Sequence, residues 1–198
     1  MHNPIIKQLK GIIFDLDGTL ANTHLDFPQM CIDAGVPVGT RLLEHCASLT
    51  DKSRSAEILS IVEQHEIDGA SRAEWILDAE QILSQLKDLK IPMAIVTRNM
   101  RVAAKYTIQK LSIPIDFVIT RQDCQPKPDP EGLLMVARHW DISPENLVYV
   151  GDYKFDIEAA KNAGMMAILL ANHRNQAFHS IADKVIHNFK ELTVIFDL

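Results

Sequence analysis

The chain has no surplus of positive charge. Its 20 Lys and Arg stand against 26 Asp and Glu, for a formal net charge of -6 and a pI near 5.7. That balance argues against a general polyanion-binding surface, so no nucleic acid partner is expected, although a local basic pocket is compatible with it. Long apolar runs are also missing. The longest, Met165 to Ala171, is far too short to cross a hydrocarbon core of about 30 Å, and no membrane partner is expected. Met1-His2-Asn3-Pro4 begins no basic segment followed by an apolar one, so the expected location is cytoplasmic. Cysteine is sparse: Cys31, Cys46 and Cys124 are odd in number and lack metal-like pairing, which suits a reducing compartment with thiols as small apolar residues. No repeat period or low-complexity tract is visible, which excludes solenoids and arrays. What is present is a globular composition, 198 residues with 47% hydrophobic and 23% charged, enough for one buried core and an inserted subdomain. A monomer is expected.

The most informative segment is Asp15-Leu16-Asp17-Gly18-Thr19-Leu20, which follows the apolar run Gly11-Ile12-Ile13-Phe14. Two carboxylates two positions apart emerge where a buried strand meets a loop. Residues at that spacing share a strand face, and a turn at Gly18 lets the two acids diverge around one reacting centre, the first as nucleophile and the second as proton carrier.

From residue 77 onward, β-rich apolar runs alternate with helical patterns. Helices are predicted over Asp78 to Leu89, Val102 to Leu111, Pro130 to Trp140 and Asp156 to Ala163, the last stopped by Gly164. Strands are predicted over Ile91 to Thr97, Phe117 to Thr120, Leu147 to Val150 and Ala167 to Leu170, with Lys184 to His187 as a last edge strand. Strands that are apolar throughout belong in a sheet covered on both faces, so the fold class is α/β, a doubly wound parallel sheet. Ligands of such sheets gather at the carboxyl ends of the strands, where Asp15, Asp17, Thr97 and Asp152 all fall. Residues 22 to 76 break the alternation: Thr40 to Leu49 and Ser53 to His65 look helical, with Gly35 to Gly39 and Asp68-Gly69 as punctuation. The expected division is a core of residues 1–21 and 77–198 with a small helical cap over 22–76.

The hexapeptide resembles the first motif of the haloacid dehalogenase-like hydrolases, a superfamily that mostly transfers phosphoryl groups through an aspartyl-phosphate. Thr97, ending Met93-Ala94-Ile95-Val96, resembles the second motif, whose hydroxyl binds the phosphoryl group. Lys127, within Gln125-Pro126-Lys127-Pro128-Asp129-Pro130, resembles the third, and Gly151-Asp152 with Asp156 resembles the fourth, the acidic metal site. The four occur in the family's order and cover nearly the whole chain outside residues 21 to 76. The resemblance implies a Rossmann-like core and a phosphomonoesterase similar to phosphoglycolate phosphatase, acting on a small phosphorylated metabolite. Asp15 would attack phosphorus and Asp17 would protonate the leaving alkoxide and then activate water. Dehalogenases of the superfamily lack that second acid, because halide departs without a proton. A mutase resembling β-phosphoglucomutase would use the same pair, and a non-catalytic binding module is the remaining alternative.

Mg²⁺ favours an octahedral oxygen shell with few carboxylates, which suits Asp15, Asp152 and the backbone carbonyl of Asp17. Asp156 is either a ligand, a partner of one, or an acid favoured by a helix N-terminus. Lys127 would offset the charge shared by Asp15 and the transferring group. Thr97 with the amides of Arg98 and Asn99 makes a candidate anion cradle. Arg98 either reaches a second anionic group on the substrate or is a surface arginine, and His24 is either a substrate contact or a hinge residue. Tyr153 and Lys154 follow Asp152 where many relatives carry a small polar residue.

Overall fold

The computed structural model describes residues 9–196, so the first eight residues of the expected core segment, Met1 to Pro4 among them, lie outside the described part. In chain order the elements are β1 (Gly11–Phe14), β2 (Ala21–Asn22), α1 (Phe27–Asp33), α2 (Leu42–Ser48), α3 (Lys52–Arg72) and β3 (Glu74–Trp75). They continue with α4 (Ala79–Asp88), β4 (Met93–Val96), α5 (Arg101–Leu111), β5 (Phe117–Ile119), α6 (Glu131–Trp140) and β6 (Leu147–Gly151). The last are α7 (Lys154–Ala163), β7 (Met166–Leu170), β8 (Lys184–Ile186) and α8 (Leu192–Phe196).

Six strands form one sheet in the order β5-β4-β1-β6-β7-β8, every neighbouring pair parallel. The all-apolar strands have the expected consequence: alternate residues of β1 enter opposite layers. Ile12 and Phe14 pack with Leu83, Leu86, Ile95, Val148 and Phe189 on one face. Ile13 packs with Ala94, Leu133, Tyr149 and Ala160 on the other. Both layers are dry, and burial of this kind contributes about 25 cal/mol per Å² of apolar surface. The expected helices and strands of the core are all present to within two residues, and β8 is the expected edge strand.

The segment between β1 and α4 differs more from expectation. α1 carries no visible period in the sequence because it is only two turns long. It is set by Asp26, whose side chain accepts from Gln29 N at 3.0 Å, and by Pro28 in its first turn. β2 and β3 pair antiparallel, Ala21 opposite Trp75, and so bind the two ends of the helical segment together. Met30, Cys31, Leu42, Cys46, Ile58 and Val62 give the three helices a cluster of their own, in which both thiols are free and packed as apolar groups.

Asp68-Gly69 is not a break: α3 runs through it to Arg72. The far end of the helix leaves the local cluster and packs Ile67 and Ala70 on Met100, just before α5, and on Ala103 within it. There Glu66 takes both oxygens to Arg121 Nη1, at 2.6 and 2.8 Å. Gly69 is present for space. A Cβ on it would lie 2.6 Å from the carbonyl oxygen of Thr23, a backbone atom that cannot yield alone. Gly69→Ala is therefore expected to destabilise the fold by about 1–3 kcal/mol, although alanine is the better helix former, as measured by urea unfolding.

Candidate active site

Because β4 and β6 flank β1, the loops after all three strands converge at one point on the carboxyl edge of the sheet. Asp15 stands there, its amide donating to Val150 O at 2.9 Å, so its backbone is an extension of the β1–β6 ladder. Gly18 then turns the chain with φ +85°, and a Cβ on it would lie 2.6 Å from Asp152 Oδ2. The turn thus needs both the left-handed backbone and the empty volume of glycine.

The centre of the arrangement is Lys127. Its ammonium donates to Asp15 Oδ1 at 2.7 Å, to Asp156 Oδ1 at 2.6 Å and to the Tyr149 hydroxyl at 2.6 Å. All four side chains are buried, and the three donors of the ammonium are fully used. Tyr149 in turn donates to Val96 O at 2.8 Å, at the end of β4. Burial opposes the lysine charge, but Asp15 and Asp156 outweigh it and hold the ammonium above its ordinary pKa.

Asp15, Asp152 and Asp156 each present one oxygen, all within 4.8 Å of one another. One ammonium does not balance three clustered carboxylates. The Asp152 carboxyl is accordingly pushed up to about 7, first by burial and then by Asp156. The Asp15 carboxyl is also well above its ordinary range, chiefly by burial, with Lys127 pulling against it. An all-oxygen, charge-deficient cluster fits a hard divalent cation. Asp152 is oriented for this by Asn172 Nδ2, at 3.3 Å from its Oδ2, and by Asn175 Nδ2, at 2.8 Å from its carbonyl oxygen. Asp156 also stands where a helix-terminal acid is expected, since its second oxygen accepts from Tyr153 N at 2.9 Å at the start of α7.

The side chain of Asp17 lies apart from that cluster. Its oxygens accept from Thr23 Oγ1 at 2.7 Å and Asn99 Nδ2 at 2.9 Å. Burial raises its pKa while both donors resist the rise, which suits a group that must carry a proton. The anion cradle differs from expectation. The Asn99 amide donates to Thr97 Oγ1 at 3.0 Å, leaving the threonine hydroxyl free to donate, and the side chain of Asn99 serves Asp17 instead. Helix α5 begins only at Arg101, so Arg98 and Asn99 belong to the loop before it. Arg98 is neither free nor on the open surface: Nη2 lies 2.6 Å from Glu44 Oε1 of α2. His24 lies just past β2, with Nε2 3.5 Å from Glu74 Oε2 of β3.

A sequence profile of haloacid dehalogenase-like hydrolases matches residues 37–170, more than half of the chain. The chain belongs to that family. It is 30% identical over 176 residues to a haloacid dehalogenase-like hydrolase domain-containing protein of Arabidopsis thaliana, covering 82% of this chain and 71% of the relative. A phosphoglycolate phosphatase of Neisseria meningitidis is 27% identical over 192 residues, covering 84% of this chain and 82% of the relative. A haloacid dehalogenase-like hydrolase structure from Bacteroides fragilis shares the fold with a TM-score of 0.79 at 21% identity, over 93% of this chain and 99% of that one. As an enzyme, the chain stands with the family's phosphatases.

Within this haloacid dehalogenase-like site, Tyr149, Asn172, Asn175 and Thr23 hold the acids and the lysine, and the sequence marked none of them for that work. Tyr149 lies inside an apolar strand and reads as core. Asn172 and Asn175 follow β7 and reveal themselves only by reaching back to Asp152.

An acid whose folded pKa lies above its unfolded value contributes stability below the unfolded value and loses it as pH rises through the folded one. For Asp152 that window runs from 3.8 to about 7. The melting temperature of the metal-free protein is expected to fall across it, and Asp152→Asn should flatten part of the fall. An equal slope in both proteins would show that Asp152 does not titrate there.

Proposed function

We propose that the protein is a Mg²⁺-dependent phosphomonoesterase of the cytoplasm. It hydrolyses a small phosphorylated metabolite through an aspartyl-phosphate on Asp15, in the manner of the phosphoglycolate phosphatase branch. The observation that carries this is the Lys127 ammonium bonded to Asp15 and Asp156, with Asp152 in the same cluster and Asp17 held separately beside it.

Lys127 engages Asp15 through Oδ1, which leaves Oδ2 to attack phosphorus as the bond to the leaving oxygen breaks. Asp17 gives its proton to that oxygen. It then takes a proton from water, which attacks the phospho-aspartate, releases inorganic phosphate and regenerates Asp15. Throughout, Lys127 neutralises the charge shared by Asp15 and the phosphoryl oxygens, and Thr97 donates its hydroxyl to one of them. Asp15, Asp152, Asp156 and the carbonyl of Asp17 would hold Mg²⁺, which supplies the positive charge the carboxylates lack and draws negative charge from the transferring oxygens. Residues 22–76 act as the cap, covering the site and excluding water.

The test is phosphate release from a panel of small phosphomonoesters, para-nitrophenyl phosphate included. Activity should require Mg²⁺ and vanish with a chelator, and Asp15→Asn should lower it by about three orders of magnitude or more. Phospho-enzyme that persists in water and passes its phosphoryl group to a sugar would establish a mutase. Undiminished release by Asp15→Asn would remove the nucleophile from the scheme.

A further inference from the structure

Beside the acidic cluster lies a cationic one. The ring of Phe155, buried directly after Lys154, collects charged groups from three separate parts of the chain. Arg98 Cζ lies 4.7 Å from the ring centroid, Arg41 Cζ 5.2 Å and Lys154 Nζ 5.5 Å. Arg41 leads into α2, Arg98 directly follows Thr97, and Lys154 stands two positions past Asp152. Arg98 lies in the loop after β4 and Lys154 opens α7 just after β6, so the ring joins groups that follow the two strands flanking β1.

Three cations on one ring gain from the aromatic face but repel one another, and the protein answers them sparingly. Glu44 pairs closely with Arg98 at 2.6 Å, and Glu158 approaches Lys154 at 3.8 Å. Among the described residues Arg41 has no carboxylate within ion-pair distance. Three cations thus face two carboxylates in the segments that directly follow Thr97 and Asp152, in a chain whose net charge is -6. Glu44 is suited to temporary occupancy: it comes from the helical insert rather than the sheet, and its side chain keeps 43% of its surface in solvent.

We infer that Arg41, Arg98 and Lys154 form a subsite for a second anionic group of the substrate, a carboxylate or a further phosphate, with Glu44 holding Arg98 until that group displaces it. The inference rests on the phosphatase reading and narrows it to esters bearing a second anion a few bonds from the scissile phosphate. Arg98 donates through a planar fork suited to either anion, and α2 brings Arg41 and Glu44 to the same place.

Matched esters isolate the second anion: 3-phosphoglycerate against glycerol 3-phosphate for a carboxylate, and fructose 1,6-bisphosphate against fructose 1-phosphate for a phosphate. In at least one pair the native protein should favour the anion-bearing ester in kcat/KM. Arg41→Met should reduce that preference roughly tenfold, the size of one charge-assisted hydrogen bond, chiefly through KM. Glu44→Gln should increase the preference, because it removes the competing carboxylate. Were Arg98 and Glu44 merely a structural tie, both members of each pair would fall together and the preference would not move in either variant, which overturns the subsite. Should Arg41→Met fail to fold, Lys154→Met carries the same readout. Turnover of para-nitrophenyl phosphate without preference in either pair removes the subsite and leaves the phosphatase intact. If no ester is turned over, calorimetric binding of the same pairs to the native protein decides the subsite by itself.

Discussion

The site depends on one buried ammonium. Taking a charge out of water costs several kcal/mol unless it is fully paired, and Lys127 is paired on all three of its hydrogens. Its partners come from the end of β1, the middle of β6 and the first turn of α7, and through Tyr149 the network reaches the last carbonyl of β4. A single cation therefore fixes the spacing of the converging loops. The strand order makes this possible: had β4 and β6 not flanked β1, no lysine after β5 could reach all of these groups. Lys127 bonds Asp15 and Asp156 directly. Burial nonetheless holds the Asp15 carboxyl well above its ordinary range, and it pushes that of Asp152, which the lysine does not touch, up to about 7.

A second chain of contacts joins the helical insert to the chemistry. α3 is continuous from the insert's own cluster to the face of α5, and the Glu66–Arg121 pair fastens it where both side chains are almost dry. Near that fastening Gly69 lies against the backbone of Thr23, and the hydroxyl of Thr23 donates to Asp17. The orientation of Asp17 is thus tied to the seating of α3, two contacts away. Seating α3 and positioning Asp17 are thereby coupled, because Thr23, whose backbone packs on Gly69, also holds the acid.

The core was legible because its signals are local. Continuous apolar runs of four or five residues, bounded by turn formers, can pack only as covered strands, and the acids that follow them must fall at the carboxyl edge. The insert was less legible for equally physical reasons. β2 and β3 have two residues each, too few to show a period, and Gly69 carries the local signature of a break while its function is to admit a neighbouring backbone. The supports of the site were invisible in another way. Glu66 meets Arg121 across 55 positions, and Asn99 meets Asp17 across 82. Such pairs are chosen by the topology, after the strands have been ordered. Asp156 shows the limit from the other side: the sequence offered helix-terminal acid and metal-site acid as competing readings, but not the lysine 29 positions away that one of its oxygens accepts from.

The molecule as a whole repels the anions it is proposed to bind. With a net charge of -6, attraction must come from within about one Debye length, roughly 8 Å at physiological ionic strength. Between the end of β6 and the start of α7 the sign reverses in two residues, from Asp152 in the carboxylate cluster to Lys154 on the Phe155 ring. The two halves ask for opposite partners: the acidic half has more carboxylates than its one ammonium balances, and the cationic half is answered by few carboxylates. A phosphate ester with a second anion satisfies both at once, its phosphoryl group meeting the cation held by the acids and its far end meeting the arginines. A neutral ester would satisfy the first half and leave the second as it stands, with Glu44 still on Arg98. Selectivity then needs no shape recognition at the far end of the substrate, because the cost of leaving the cations poorly paired already separates the two classes.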